Sequence, residues 1–169
     1  MLIAFFSLSN VNAESLKKVE IIGNERISNE TIIVYGEIKK GKNYSLEEID
    51  NIIKNLYETK FFSKISADFS NGILKIIVEE NPIINSIVIQ GEPAKKYTEA
   101  ILEILSLKEK SSYIKSDVKN DVEIIRNFYK SLGFYSPKVE ARIQEVKAGK
   151  NILNLIFSVE KGKREKISK

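Results

Sequence analysis

Residues 55–69, NLYETKFFSKISADF, and residues 127–143, NFYKSLGFYSPKVEARI, spell one pattern twice. In each, an aromatic residue near the end of a helical stretch (Tyr57, Tyr129) is followed by an aromatic pair, Phe61-Phe62 or Phe134-Tyr135, and then by residues that alternate in polarity. Helical period gives way to strand period across a short junction. A junction written twice in 169 residues decides how the rest of the chain is divided.

Further matches lie on both sides of it. KKVEIIGNERI at 17–27 resembles NSIVIQGEPAK at 85–95, with Gly23 and Gly91 each closing a β-branched run. ILKIIVEENP at 73–82 likewise corresponds to ILNLIFSVEKGK at 152–163. Order and spacing are both kept, so two units joined around Glu80 to Pro82 replace the single domain that length alone favours.

In the first unit Val19 and Ile21 begin a short strand that ends at Gly23-Asn24. In SNETIIVYGEIKKG Ser28 is placed to cap a short helix, but the run Thr31-Ile32-Ile33-Val34 favours a strand by propensity, and the residues alone leave both open. SLEEIDNIIKNLYETK is unambiguous: Ser45 and Glu48 form a capping box, and Ile49, Ile52, Ile53 and Leu56 make one apolar stripe. Ile65, Ala67 and Phe69 then alternate along a strand, Asn71-Gly72 turns the chain, and Leu74, Ile76 and Val78 line the returning strand. The second unit repeats the plan. Tyr97, Ile101, Ile104 and Leu105 make one helical stripe, and Val118, Val122, Ile125, Tyr129 and Leu132 another, with Ser116 or Asp117 as the expected cap and Gly133 as the stop. Val139, Ala141 and Ile143 should face inward, a turn falls around Gly149, and Leu153, Leu155, Phe157 and Val159 complete the pair.

Composition excludes most chemistry. With no histidine and no cysteine the chain lacks the usual neutral-pH proton carrier, the thiol nucleophile and the common zinc ligands. Glu47, Glu48 and Asp50 fit the first turn of a helix better than a catalytic pair. Glu79-Glu80 and Asp117/Asp121 have no calcium-loop or facial-triad spacing, and Gly23, Gly36 and Gly41 make no phosphate loop. No enzyme activity, cofactor or metal is expected. The net charge of +4, from 27 basic and 23 acidic residues, is spread along the chain, and the short runs Lys39-Lys40-Gly41-Lys42 and 161–166 lack aromatic platforms, so no nucleic-acid partner is expected.

The opening MLIAFFSLSNVNAES pairs a short apolar run, Leu2 to Phe6, with small residues before Glu14, and reads as the tail of a secretory signal peptide, residues 1–13, cut after Ala13. A buried N-terminal segment is the other reading. No other stretch approaches the 18 or more apolar residues of a membrane helix.

What remains is an interaction surface. A three-stranded sheet in this order must leave an edge open, and the first strand of each closing hairpin, 64–69 or 138–144, is the natural one. An extended chain could add there, with alternate side chains in the groove between edge and helix. The candidate binding residues are therefore Lys64, Ser66, Asp68, Lys138, Glu140, Arg142 and Gln144. Their charges would serve equally to steer a partner or to deter edge-to-edge aggregation.

VEIIGNERI, LYETKFFSKI with FYKSLGFYSPKV, and VEENP with VEKGK, in that order, resemble the POTRA (polypeptide-transport-associated) domains of the BamA-like outer membrane β-barrel assembly family, over residues 16 to about 160. The resemblance implies an α+β fold of two tandem domains, each β-α-α-β-β with a three-stranded mixed sheet against two helices. These would span 16–81 and 82–161, with 162–169 leading into a linker or third domain. It makes ISNETIIVYGEI a short helix. It also implies the periplasmic portion of a bacterial outer membrane protein, the first two domains of a longer chain. As partners it implies unfolded outer membrane proteins, periplasmic chaperones, accessory lipoproteins bound mostly by domains outside this chain, and a membrane barrel that follows. The POTRA region of a two-partner secretion transporter, and a spacer that binds nothing, are the alternatives. Lys60 stands where such a junction usually has glycine, and Glu92 where asparagine usually follows Gly91.

Overall fold

Ser45 accepts the Glu48 N–H while the Glu48 carboxylate accepts the Ser45 N–H, so the helix that decided the reading starts where its capping box was written. The computed structural model describes residues 15–146 and 151–164. The proposed signal segment and the residues around Gly149 lie outside the described residues. The chain divides into two compact units, one up to Glu80 and one from Asn81.

The first unit runs β1 (Lys18–Ile22), α1 (Asn29–Tyr35), α2 (Leu46–Glu58), β2 (Phe62–Ser70) and β3 (Ile73–Glu80). Strand order is β1-β3-β2, with β1 parallel to β3 and β2 antiparallel to it, a mixed sheet. Ser28 caps α1 by accepting the Thr31 N–H, and this short helix forms in spite of its β-branched run because Ile32 is wholly buried in the core. Ile32, Ile52, Leu56, Leu74, Ile76 and Val78 meet on one side of the sheet. Asn71 and Gly72 both adopt positive φ, +53° and +73°, and close the β2–β3 hairpin in two residues.

The second unit repeats this with β4 (Ile83–Gln90), α3 (Lys95–Ile104), α4 (Lys115–Ser131), the two-residue β5 (Phe134–Tyr135), β6 (Lys138–Glu145) and β7 (Ile152–Glu160). Its sheet has the order β4-β7-β6, and a two-residue β8 (Lys163–Arg164) pairs with β5. Ile101, Ile125, Tyr129, Leu155 and Phe157 are fully buried in its core. Three expectations need correction. Helix α4 is capped at Ile114, two or three residues earlier than the expected caps, so Ser116 and Asp117 fall in its first turn and neither caps it. Ile104 is 48% exposed, since α3 ends there and the buried places go to Leu105 and Leu107. Ile143, expected inside, is 50% exposed near the end of β6.

The same close approach locks both sheets. A Cβ at Gly23 would lie 2.1 Å from the Val78 carbonyl oxygen, and one at Gly91 2.3 Å from that of Val159, both at φ +91°. Only glycine serves where a strand leaves its neighbour in this way.

Candidate functional site

Each sheet has two borders, and in the second unit a loop of the chain lies along one of them. In the second unit the loop between α3 and α4 lies along β4: Ile84 donates to the Ser111 carbonyl at 3.0 Å, Lys110 donates to the Ile84 carbonyl at 2.7 Å, and the Glu109 carboxylate accepts the Ile87 N–H at 3.0 Å. In the first unit the matching loop holds Leu16, ahead of β1, through Leu16 N–H to the Lys42 carbonyl at 2.8 Å and Gly41 N–H to the Leu16 carbonyl at 2.9 Å. Lys40 stands at the place of Glu109 and has no acceptor to offer a strand N–H.

The opposite borders are β2 and β6. Ser70 and Ile73 flank the two-residue turn, and Val146 donates to the Ile152 carbonyl at 3.1 Å. Even-numbered residues of β2 and β6 therefore exchange hydrogen bonds with β3 and β7, and odd-numbered ones turn their backbone groups outward. Two side-chain contacts agree with that phase. The Tyr57 hydroxyl accepts the Ile65 N–H at 3.0 Å, and the Arg126 guanidinium donates to the Val139 carbonyl at 3.4 Å.

Lys64, Ser66, Asp68, Lys138, Glu140, Arg142 and Gln144 accordingly sit on border strands, exposed, with side chains on the sheet face away from the helices and backbone groups turned inward. Several are engaged there: Lys64 with Glu79 at 2.7 Å, Lys138 with Glu160 at 3.8 Å, and Arg142 with Gln90 at 3.3 Å. The backbone groups that an added strand would meet belong instead to Ile65, Ala67 and Phe69, and to Val139, Ala141 and Ile143.

Beside β6 the border opens into a groove of about 440 Å³, lined by Tyr113, Lys115, Val118, Lys119, Val122, Glu123 and Ala141. Helix α4 supplies five of these, at spacings of three and four that keep them on one face. In the first unit the larger Phe69 packs edge-to-face on Tyr44, with ring centroids 6.0 Å apart, at the places held in the second unit by Ile143 and Tyr113.

A buried carboxylate anchors each unit away from its border. Glu80 accepts the N–H groups of Glu25, Arg26 and Ile27, each at 2.9 Å, and pairs with the Arg26 guanidinium at 3.0 Å. Burial opposes its charge, but the three N–H donors and Arg26 outweigh burial and hold its pKa below the usual carboxylate value. Glu92 accepts from the Tyr129 hydroxyl at 2.7 Å, the Ala94 N–H at 2.9 Å and the Lys161 ammonium at 3.2 Å, and its pKa is likewise lowered against the cost of burial. Burial and the Glu92 carboxylate together push the Tyr129 hydroxyl pKa up. Asp121, fully buried, accepts the N–H groups of Ser106 and Leu107 and so fixes the end of α3. These carboxylates are structural anchors with protein donors already in place.

Residues 82–162 match the POTRA family model, described as a surface antigen variable number repeat. The first unit has the same β-α-α-β-β order and the same mixed sheet. Both units are POTRA-like in fold, and the second matches the family model. The chain is similar to the outer membrane protein assembly factor BamA of Neorickettsia risticii, 25% identical over 118 residues, covering 70% of this chain and 16% of that protein. It is also 25% identical over 162 residues to BamA of Nitratidesulfovibrio vulgaris, covering 94% of this chain and 20% of that one. It thus spans about a fifth or less of the length of these two relatives. The N-terminal domain of Omp85 from Thermosynechococcus elongatus shares the fold, with a TM-score of 0.52 at 15% identity over 84% of this chain and 61% of that one.

Proposed function

We propose that this chain is the periplasmic POTRA portion of an outer membrane assembly factor of the BamA type, and that it receives unfolded outer membrane β-barrel proteins as strands added to its free sheet borders, chiefly β6. The β6 border carries this reading: Ala141 and Ile143 turn backbone groups outward beside an apolar groove, while the chain's own loop closes the β4 side. Each hydrogen bond gained there is worth about 0.5–1.5 kcal/mol net, so a few bonds give weak, sequence-tolerant binding. Such binding suits a module that must pass its client onward, here to a membrane barrel in the full protein, in concert with periplasmic chaperones and with accessory lipoproteins bound by other domains.

The test is photocrosslinking to an unfolded outer membrane β-barrel protein diluted from denaturant. A photoreactive residue is placed at Ala141 or Ile143, at Ala67 or Phe69, and at exposed Asn127 on α4 as the control. Crosslinks are expected at Ala141 and Ile143 above the control, and more weakly at Ala67 and Phe69. No crosslinks at either border would overturn strand addition and leave the spacer reading.

A further inference from the structure

The wall of the β6 groove has a charge pattern that the fold does not require. Lys115, Lys119 and Glu123 follow one another at four-residue intervals along α4, interleaved with Val118 and Val122. Glu123 is engaged with Arg126, one helical turn on. Lys115 and Lys119 are exposed and make no ion pair or side-chain hydrogen bond among the described residues. Both lie in the first five residues of α4, at the helix end whose dipole disfavours cations. In the first unit the corresponding places on α2 hold Leu46, Asp50 and Lys54.

We propose, building on the strand-addition reading, that the β6 groove selects extended segments in which a carboxylate lies two residues from an apolar side chain, on the same face. The apolar side chain seats between Val118, Val122 and Ala141, and the carboxylate meets Lys115 and Lys119. The position of that carboxylate follows from direction. Chain direction reverses between α4 and β6, and Arg126, near the end of α4, touches Val139, near the start of β6. Lys115 and Lys119 therefore stand toward the Ile143 end of the strand. The acidic residue of a bound segment lies at that end, and an acidic residue placed opposite Val139 gains nothing.

Two fluorescein-labelled peptides of alternating valine and threonine test this by anisotropy, identical except for a glutamate or a lysine replacing the valine two residues from the central one, on the same face. The glutamate peptide should bind roughly two- to five-fold more tightly in dilute buffer, the range of a partly exposed ion pair. The difference should vanish near 1 M salt. Lys115→Glu/Lys119→Glu should reverse the preference. Lys138→Glu/Arg142→Glu, which changes net charge equally on the other face of the sheet, should keep its sign. Equal binding of both peptides, or loss of the preference in both double variants alike, overturns the charge selection and leaves strand addition standing. Binding of neither peptide, or binding that survives Ala141→Pro, in which the outward N–H is gone, defeats strand addition itself along with the selection.

Discussion

The two units hold the same joint together with opposite charges. In the first, Glu80 at the end of β3 reaches a loop that supplies three N–H donors and Arg26. In the second, Lys161 stands at the place of Glu80, and the carboxylate has moved to the loop as Glu92. Pro93, at the place of Glu25, accounts for the exchange: it has no N–H, so a carboxylate beyond β7 would find one donor fewer. With Glu92 on the loop, Tyr129 from α4 becomes the donor instead. The departure from asparagine after Gly91 is thus one half of a compensated pair. What the units share without exchange is steric, the contact of Gly23 with Val78 and of Gly91 with Val159. Backbone approach constrains this fold more tightly than the sign of its charges.

The largest expected effect would break both units alike. Gly23→Ala or Gly91→Ala forces a Cβ onto a carbonyl oxygen at positive φ, and each should cost on the order of 3 kcal/mol or more, enough to unfold a domain of this size. Urea unfolding followed by tryptophan fluorescence, with one tryptophan introduced per unit, would show which unit is lost. A loss below about 1 kcal/mol at either glycine would mean that this approach is not what fixes the sheets.

Exchange of the charges sharpens the comparison. Glu92→Asn alone should cost the second unit about 2 kcal/mol, because Tyr129 and Lys161 lose a buried acceptor. Adding Lys161→Glu rebuilds the polarity of the first unit, yet recovery should be partial because Pro93 still offers no donor. Full recovery in urea titrations would show that the loop donors do not matter. Acid should act on both units with one sign. The folded pKa values of Glu80 and Glu92 lie below that of an unfolded glutamate, about 4.3. Their contribution is complete above that value and fades as pH falls through the folded ones. The second unit of Glu92→Asn should therefore lose less stability than the parent between pH 5 and pH 3, measured as a smaller drop in urea midpoint.

Much of the fold was legible because its signals are local. Ser45 with Glu48, the Asn71-Gly72 turn and the alternation of Leu74, Ile76 and Val78 each need only a few neighbouring residues. The start of α4 was not, because Ser116 and Asp117 are good caps two or three residues too late and Ile114 caps without a side-chain bond. That β2 and β6 border their sheets was legible, and which of their backbone groups face outward was not. Which backbone groups face outward depends on register. In β2 the two-residue turn already implied it: Ser70 and Ile73 must pair, so Ile65, Ala67 and Phe69 turn out. For β6 no equally short turn fixes the parity, and the groove draws on Lys115, Val118 and Val122, far from Ala141 in sequence.

The smallest effect concerns the junction where both units leave their long helices. Gly133 follows α4 at φ +83°, whereas Lys60 follows α2 at φ +60° and pays the crowding that an L side chain meets in the left-handed region. Glycine at this place relieves that crowding but brings a more flexible unfolded chain, which offsets part of the gain. Lys60→Gly should therefore stabilise the first unit by roughly 0.5–1 kcal/mol, and Gly133→Lys should destabilise the second by a similar amount, both read as shifts in urea midpoint. A destabilising Lys60→Gly would mean that the lysine side chain contributes more through its contacts than its backbone conformation costs. The two junctions would then differ in kind, with the first unit holding its helix end by a side chain and the second by backbone freedom alone.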